Sequence, residues 1–201
     1  MDLFNTERVV NILPFDGVAD YYGRVFETTE AAAYLERLLR DIEWRHDEVV
    51  IFGRKIQTRR MVAWYGEHTY EYTYSGVTRQ ALEWTDDLRV LKARVEQESG
   101  ARYNSCLLNL YHSGEEGVSW HSDDEKELEQ DGAIASVSFG AERKFQFRHK
   151  ATGQQVEVLL EPGSLLVMRG ACQRYWLHAL PKTKKVSRPR INLTFRKITG
   201  A

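Results

Sequence analysis

Arg190-Ile191-Asn192-Leu193-Thr194-Phe195-Arg196 is the stretch on which the reading of this chain turns. Polar and apolar residues alternate without a break, which is the period-2 signature of a strand. Ile191, Leu193 and Phe195 share one face, and that face goes to a core by default. Arg190, Asn192, Thr194 and Arg196 share the other. Two guanidiniums with an amide and a hydroxyl between them admit two readings. Either the face is solvated, or it lines the inside of a barrel and its cations need anionic partners, because burying unpaired charge is very costly. A small dicarboxylate would supply both partners. Arginine grips carboxylates in a two-point fork, and Asn and Thr can complete the cradle.

The same design recurs upstream in Leu107-Leu108-Asn109-Leu110-Tyr111, where Asn109 and Tyr111 oppose Leu108 and Leu110. It reads as an amphipathic edge strand or as a second wall of the same barrel. Strand patterns cover residues 104–111, 133–139, 143–149, 155–160, 164–168, 175–180 and 190–196. Turn signals at Gly114/Gly117, Thr152-Gly153 and Pro162-Gly163 separate several of them. Many short antiparallel strands with Gly/Pro turns predict a double-sheet jelly roll or barrel. Two helices precede them. One covers 30–44, with Ala33, Leu35, Leu38, Leu39 and Ile42 at helical spacing and Thr28 or Thr29 as cap. The other covers 84–98, with Leu88, Leu91 and Val95 on one stripe and Gly100 as the stop. Before the second helix lie an apolar segment at 9–15, a short strand at 49–52, and the aromatic run Trp64, Tyr65, Tyr70, Tyr72 and Tyr74, closed by Ser75-Gly76. The fold class is therefore α+β and β-dominated, with helices buttressing one sheet.

At 201 residues and 42% hydrophobic, the chain can bury one substantial core, with or without an appendage. No apolar run reaches the roughly 18–20 residues of a membrane helix. The start, Met1-Asp2-Leu3-Phe4-Asn5-Thr6, lacks the pattern of a signal peptide. Two cysteines, Cys106 and Cys172, are too few for a disulfide framework and read as small core residues. These points favour a cytoplasmic, or in a eukaryote nuclear, compartment. The net charge of −1 is uninformative, but its distribution is not. Basic groups stand at 54–60, 143–150 and 181–198, and acid concentrates between Glu115 and Asp131. They read as basic ridges around an acidic metal mouth, or as solvated faces.

Trp120-His121-Ser122-Asp123-Asp124-Glu125 supplies that mouth. On an extended strand His121 and Asp123 point to one face. A third ligand is available at His178, which reads otherwise as a structural histidine; His46, His68, His112 and His149 compete. Two histidines and a carboxylate with open positions suit non-haem Fe(II) and oxygen chemistry. A structural metal would ordinarily be closed by a fourth protein ligand, and none is placed in the sequence.

Taken in order, Asn109-x-Tyr111, His121-x-Asp123, His178 and Arg190-x-Asn192-x-Thr194-x-Arg196 resemble the AlkB family of Fe(II)/2-oxoglutarate-dependent dioxygenases, and its DNA-repair demethylase branch in particular. The resemblance extends to 134–140, 145–148 and 163–166, and overall from about Phe52 to Ile198. It implies a double-stranded β-helix with an N-terminal nucleotide-recognition lid. The single dioxygenase domain, 1–201, divides into an extension and lid at about 1–85 and a helix plus jelly-roll catalytic core at about 86–201. It implies His121, Asp123 and His178 as iron ligands, and Asn109, Tyr111, Arg190, Asn192, Thr194 and Arg196 as the 2-oxoglutarate cradle, with O2 as the oxidant. Tyr72, Thr73 and Tyr74 match a lid over a flipped base, Asp124 a carboxylate near its exocyclic group, and Phe52, Gly53 and Arg54 a finger that fills the vacated stack. Tyr74 stands where duplex-acting members carry phenylalanine.

The activity so implied is oxidative demethylation of bases such as 1-methyladenine and 3-methylcytosine in alkylated DNA, or RNA, by a monomer, releasing formaldehyde, succinate and CO2. The alternatives are a dioxygenase with the same cofactors acting on RNA, protein or a small metabolite, and a non-catalytic, metal-stabilised jelly roll that binds nucleic acid.

Overall fold

A computed structural model gives residues 9–51, 54–68, 71–74 and 77–199. Phe52 and Gly53 of the expected finger lie outside the described residues. The elements run β1 (Val10–Asn11), β2 (Val18–Arg24), α1 (Thr28–Asp41), β3 (Arg45–Ile51), β4 (Arg54–Gly66), β5 (Glu71–Tyr74), β6 (Val77–Gln80), β7 (Leu82–Glu83) and α2 (Asp86–Ser99). They continue β8 (Ser105–Tyr111), β9 (Val118–His121), β10 (Ile134–Gly140), β11 (Arg143–His149), β12 (Gln155–Leu160), β13 (Ser164–Arg169), α3 (Cys172–Tyr175), β14 (Trp176–Leu180) and β15 (Arg190–Arg196).

Two sheets make the jelly roll. The major sheet runs β1-β2-β13-β10-β15-β8-β4-β3, with β7 beside β4; the minor sheet runs β12-β11-β14-β9. Strand β15 sits mid-sheet. It pairs with β10 on one edge, Asn192 against Ser138, and with β8 on the other, Asn192 against Asn109 and Arg190 against Tyr111.

The alternation in β15 has a packing cause on each face. Ile191, Leu193 and Phe195 are completely buried against the helices, in a core that includes Leu38 of α1 and Leu88, Leu91 and Val95 of α2. Each such side chain contributes roughly 1.5–3 kcal/mol of burial. The other face looks into the space between the sheets. One end of that space is filled by Ile134, Phe147, Leu160, Leu166 and Trp176; the other is polar and open.

The second helix follows the sequence closely. Thr85 caps it by accepting the Leu88 N–H at 3.3 Å, and Gly100 ends it in the left-handed region at φ 67°. The first helix differs. It begins at Thr28, its N-cap is Glu27, and no side chain caps it. The Thr28 hydroxyl instead accepts from Arg24. The buried stripe is Ala31, Tyr34, Leu38 and Ile42, and Leu39 faces solvent. Tyr34 sets that rotation by packing between Phe26 and Phe139, each at 5.7 or 5.5 Å between centroids. Cys106 and Cys172 are buried free thiols, as expected. Among the described residues, no helix is long and apolar enough to cross a membrane.

Gly140 closes β10 at φ 87°, and a Cβ there would collide with the carbonyl oxygen of Pro189. The close approach brings the end of β10 to the start of β15, where Arg190 stands; the Ala141 N–H donates to that same carbonyl at 2.8 Å.

Candidate active site

A cavity of about 220 Å³ opens between the sheets. Asn109, Tyr111, Arg190, Asn192, Thr194 and Arg196 all line it from the major sheet, and His121, Asp123 and His178 meet them from the minor-sheet side. The solvated reading of the β15 polar face is therefore excluded. All four of its side chains point inward.

Strands β9 and β14 are neighbours, with His121 opposite His178. Their rings stand 4.3 Å apart, edge to face. Asp123 Oδ1 lies 3.6 Å from His121 Nε2 and 3.7 Å from His178 Nε2. One ligand atom from each residue falls within 4.8 Å of the others. The expectation that His121 and Asp123 share a strand face needs correction: β9 ends at His121, and Asp123 lies beyond it. What returns Asp123 to the cavity is its own hydrogen bonding. Its N–H donates to Gln173 Oε1 at 2.9 Å, and its Oδ2 accepts from Arg196 at 2.6 Å.

The protonation states suit a metal. The backbone oxygen of Ser119 lies 2.8 Å from His121 Nδ1, so Nδ1 carries the proton and Nε2 keeps its lone pair toward Asp123. Burial, followed by the neighbouring His178, pushes His121 below its ordinary value and keeps it neutral. Burial alone would raise the Asp123 carboxyl; the charge of Arg196 and the two imidazoles outweigh it, holding Asp123 well below the usual carboxylate range. Two imidazole nitrogens and one carboxylate facing an open cavity fit Fe(II). Among the described residues, no other group of three metal-binding side chains occurs. Two of the competing histidines are otherwise occupied. His149 accepts the Thr152 N–H at 3.1 Å and faces Asp16, and His112 is bonded to Glu116.

At the far end Arg190 is 2% exposed, and its bonded partners are neutral. It donates to Ser138 Oγ at 2.9 Å and Asn192 Oδ1 at 2.7 Å, while its Nε meets no partner. Burial, reinforced by Arg143 against the opposing effect of Tyr111, pushes its pKa from 12.5 down to about 10. A buried guanidinium in this state calls for an anion, and the distal carboxylate of 2-oxoglutarate fits. Asn192 and Thr194 extend the cradle toward the triad, joined by a 2.9 Å hydrogen bond. Ser136 and Ser138 of β10 complete it, the former donating to Asn192 Oδ1 at 3.0 Å. The alternation Ser136-Val137-Ser138 carried that signal, and it went unread.

Other residues take places that their local sequence did not indicate. Asp124, assigned to the base, is exposed, accepts from Ser122 Oγ at 3.2 Å and does not line the cavity. Glu125 does, with a buried Oε2 that has no partner. Because β9 stops at His121, alternation no longer decides which of the following carboxylates turns inward. Arg143, grouped with the surface bases, is 2% exposed and donates to the carbonyls of Gly114, Glu116 and Pro181 at 3.3, 3.0 and 2.7 Å. Arg54 pairs with Ile51 at the start of β4, and Tyr72, Thr73 and Tyr74 form β5 opposite Arg79, Thr78 and Val77.

Two sheets enclosing a His-Asp-His triad and a buried arginine cradle define a class, and the comparisons agree with it. Residues 19–196 match the 2OG-Fe(II) oxygenase superfamily. Human alpha-ketoglutarate-dependent dioxygenase alkB homolog 3 is 39% identical over 187 residues, covering 88% of this chain and 65% of that protein. Cattle (Bos taurus) DNA oxidative demethylase ALKBH2 is 38% identical over 194 residues, covering 91% and 70%. The solved structure of OsALKBH1 shares the fold, with a TM-score of 0.61 at 16% identity, covering 92% of this chain and 99% of that one. The chain belongs to the AlkB family of 2OG-Fe(II) oxygenases. It spans just under two thirds of the human alkB homolog 3, 65% of its length.

Proposed function

We propose that the chain oxidatively demethylates N-alkylated bases such as 1-methyladenine and 3-methylcytosine in DNA, using Fe(II), 2-oxoglutarate and O2 and releasing formaldehyde, succinate and CO2. The observation that carries this reading is the buried Arg190 cradle facing the His121-Asp123-His178 triad across one cavity. A structural metal site needs no such cradle. Relatives named as alpha-ketoglutarate-dependent dioxygenase and DNA oxidative demethylase support the substrate class.

When bound, iron and 2-oxoglutarate supply the oxidising power that hydroxylates the N-methyl carbon, after which the hemiaminal sheds formaldehyde. The chain's own residues do the rest. His121, Asp123 and His178 hold the metal. Arg190, with Tyr111, Ser138, Asn192 and Thr194 around it, takes the distal carboxylate, and Asn109 and Arg196 lie toward the triad. Arg196 also fixes Asp123, so that one carboxylate oxygen stays directed at the histidines. Val118, Phe145 and Leu180 form apolar walls that keep water from the reacting centre.

An alkylated base pairs poorly, so extruding it costs less than extruding a normal one. Tyr72 and Tyr74 supply stacking faces, at roughly 1–3 kcal/mol per base, and His121 offers the opposite face. Phe52 fills the vacated stack, flanked by Gly53 and Arg54. The exposed Asp124 lies near the exocyclic group of the lesion, and beside it Glu125, whose carboxylate oxygen is buried without a partner in the cavity lining, attracts the cationic ring.

The test is formaldehyde release from DNA and RNA oligonucleotides carrying 3-methylcytosine, by wild type and His121→Ala. Wild type should turn over the DNA, and the variant should be inactive with an unchanged melting temperature. Turnover by the variant removes the triad from the mechanism, and turnover of RNA alone replaces the substrate.

A further inference from the structure

We infer that Gln173 is a positioning residue for the metal ligand Asp123, acting through the ligand's backbone. Asp123 is 6% exposed and lies past the end of β9, so no strand ladder receives its N–H. A buried N–H without an acceptor is destabilising. Gln173 Oε1 is the acceptor, at 2.9 Å.

Three features suit Gln173 to that task. Its amide is fixed at both ends, since Nε2 donates to Met168 Sδ at 3.4 Å and leaves Oε1 for Asp123. Its backbone is fixed as well: Lys150 Nζ donates to the Gln173 carbonyl at 2.8 Å, and the Lys150 N–H to that of Tyr175 at 2.8 Å. The same ammonium donates to Ser122 Oγ at 3.1 Å, one residue before the ligand. The short helix α3 and Lys150 thus clamp 122–123 from outside the cavity, while Arg196 holds the carboxylate from inside. Gln173 is absent from the cavity lining. Its contribution is the orientation of Asp123, and such outer partners of metal ligands typically carry a 10–100-fold effect on metal affinity.

This inference rests on the triad binding metal. The experiment is Mn(II) titration by calorimetry of wild type, Gln173→Met and Gln173→Glu, with the metal-free melting temperature and Asp123 amide exchange of each. Methionine keeps the length and removes the acceptor; glutamate keeps the acceptor. Gln173→Met should bind Mn(II) about 10–100-fold more weakly, exchange the Asp123 amide faster and, having lost one buried acceptor, melt a few degrees below wild type without metal. Gln173→Glu should restore amide protection and affinity. Equal Mn(II) affinity of Gln173→Met and wild type overturns the role of Gln173 while leaving the triad intact. A Gln173→Met variant whose amides exchange faster throughout α3 and the minor sheet, and not selectively at Asp123, reduces the residue to a structural one. Wild type that binds no Mn(II) overturns both readings.

Discussion

Replacing Arg190 by methionine should make the protein more stable and less functional, and the magnitude follows from the site. The guanidinium is buried among neutral partners, and the fall of its pKa from 12.5 to about 10 corresponds to about 3 kcal/mol of penalty on the charged form. Methionine removes that penalty and keeps much of the volume. It also removes the hydrogen bonds to Ser138 and Asn192, worth about 1 kcal/mol each. The net gain is about 1 kcal/mol, or about 2–4 °C in melting temperature for a domain of this size. With 2-oxoglutarate the sign reverses. Wild type should gain about 2.7 kcal/mol at a hundredfold excess over Kd. Losing the cation opposite a buried carboxylate costs about 3–5 kcal/mol, more than a hundredfold in affinity. The assay is differential scanning fluorimetry of both proteins, with Mn(II) throughout and 2-oxoglutarate titrated. A variant that melts below wild type without 2-oxoglutarate, or keeps the wild-type shift with it, refutes the reasoning.

Arg143→Lys should cost roughly 3 kcal/mol by urea denaturation, because Nη2 makes the contacts to the carbonyls of Gly114, Glu116 and Pro181, the lysine chain ends one bond short of that position, and charge-assisted bonds contribute about 1.5–3 kcal/mol each; an unchanged midpoint would refute the clamp. Burial raises the Glu96 carboxyl, but the Tyr103 N–H, Arg102 and Lys92 outweigh it and leave the value below the ordinary 4.5. A depressed carboxyl gives stability that is present above pH 4.5 and lost as pH falls through the folded value, so the deficit of Glu96→Gln should be full at neutral pH and vanish once the pH is below the folded value, in urea melts at successive pH; a pH-independent deficit would contradict this.

Strands were legible where one cause sets the pattern. In β11, β12 and β15 the residue alternation matches the observed ends, because each strand has one face toward the space between the sheets. The metal ligands were legible by type, and only partly by geometry. Asp123 reaches its place through Gln173 and Arg196, partners 50 and 73 residues away that no local spacing encodes. Which of Asp124 and Glu125 turns toward the cavity was illegible for the same reason, since the backbone between β9 and β10 is irregular. Charge misled at Arg143, which looks like its solvated neighbours in the sequence but satisfies buried carbonyls. In α1 the apolar residues outnumber the places on the buried stripe, and the Phe26-Tyr34-Phe139 cluster decides which of them face the core.

The mid-sheet position of β15 sets an order of assembly. It is the last of the described strands to be synthesised, yet it belongs between β10 and β8. Until residues 190–196 leave the ribosome, those two strands have unsatisfied inner edges with a slot between them, a state exposed to mispairing. Closing the slot inserts Ile191, Leu193 and Phe195 into the helix-side core and delivers both arginines to the cavity in the same step. A nascent chain of this fold cannot complete its barrel and remain without its anion cradle, so completion of the fold and competence to bind the co-substrate arrive together.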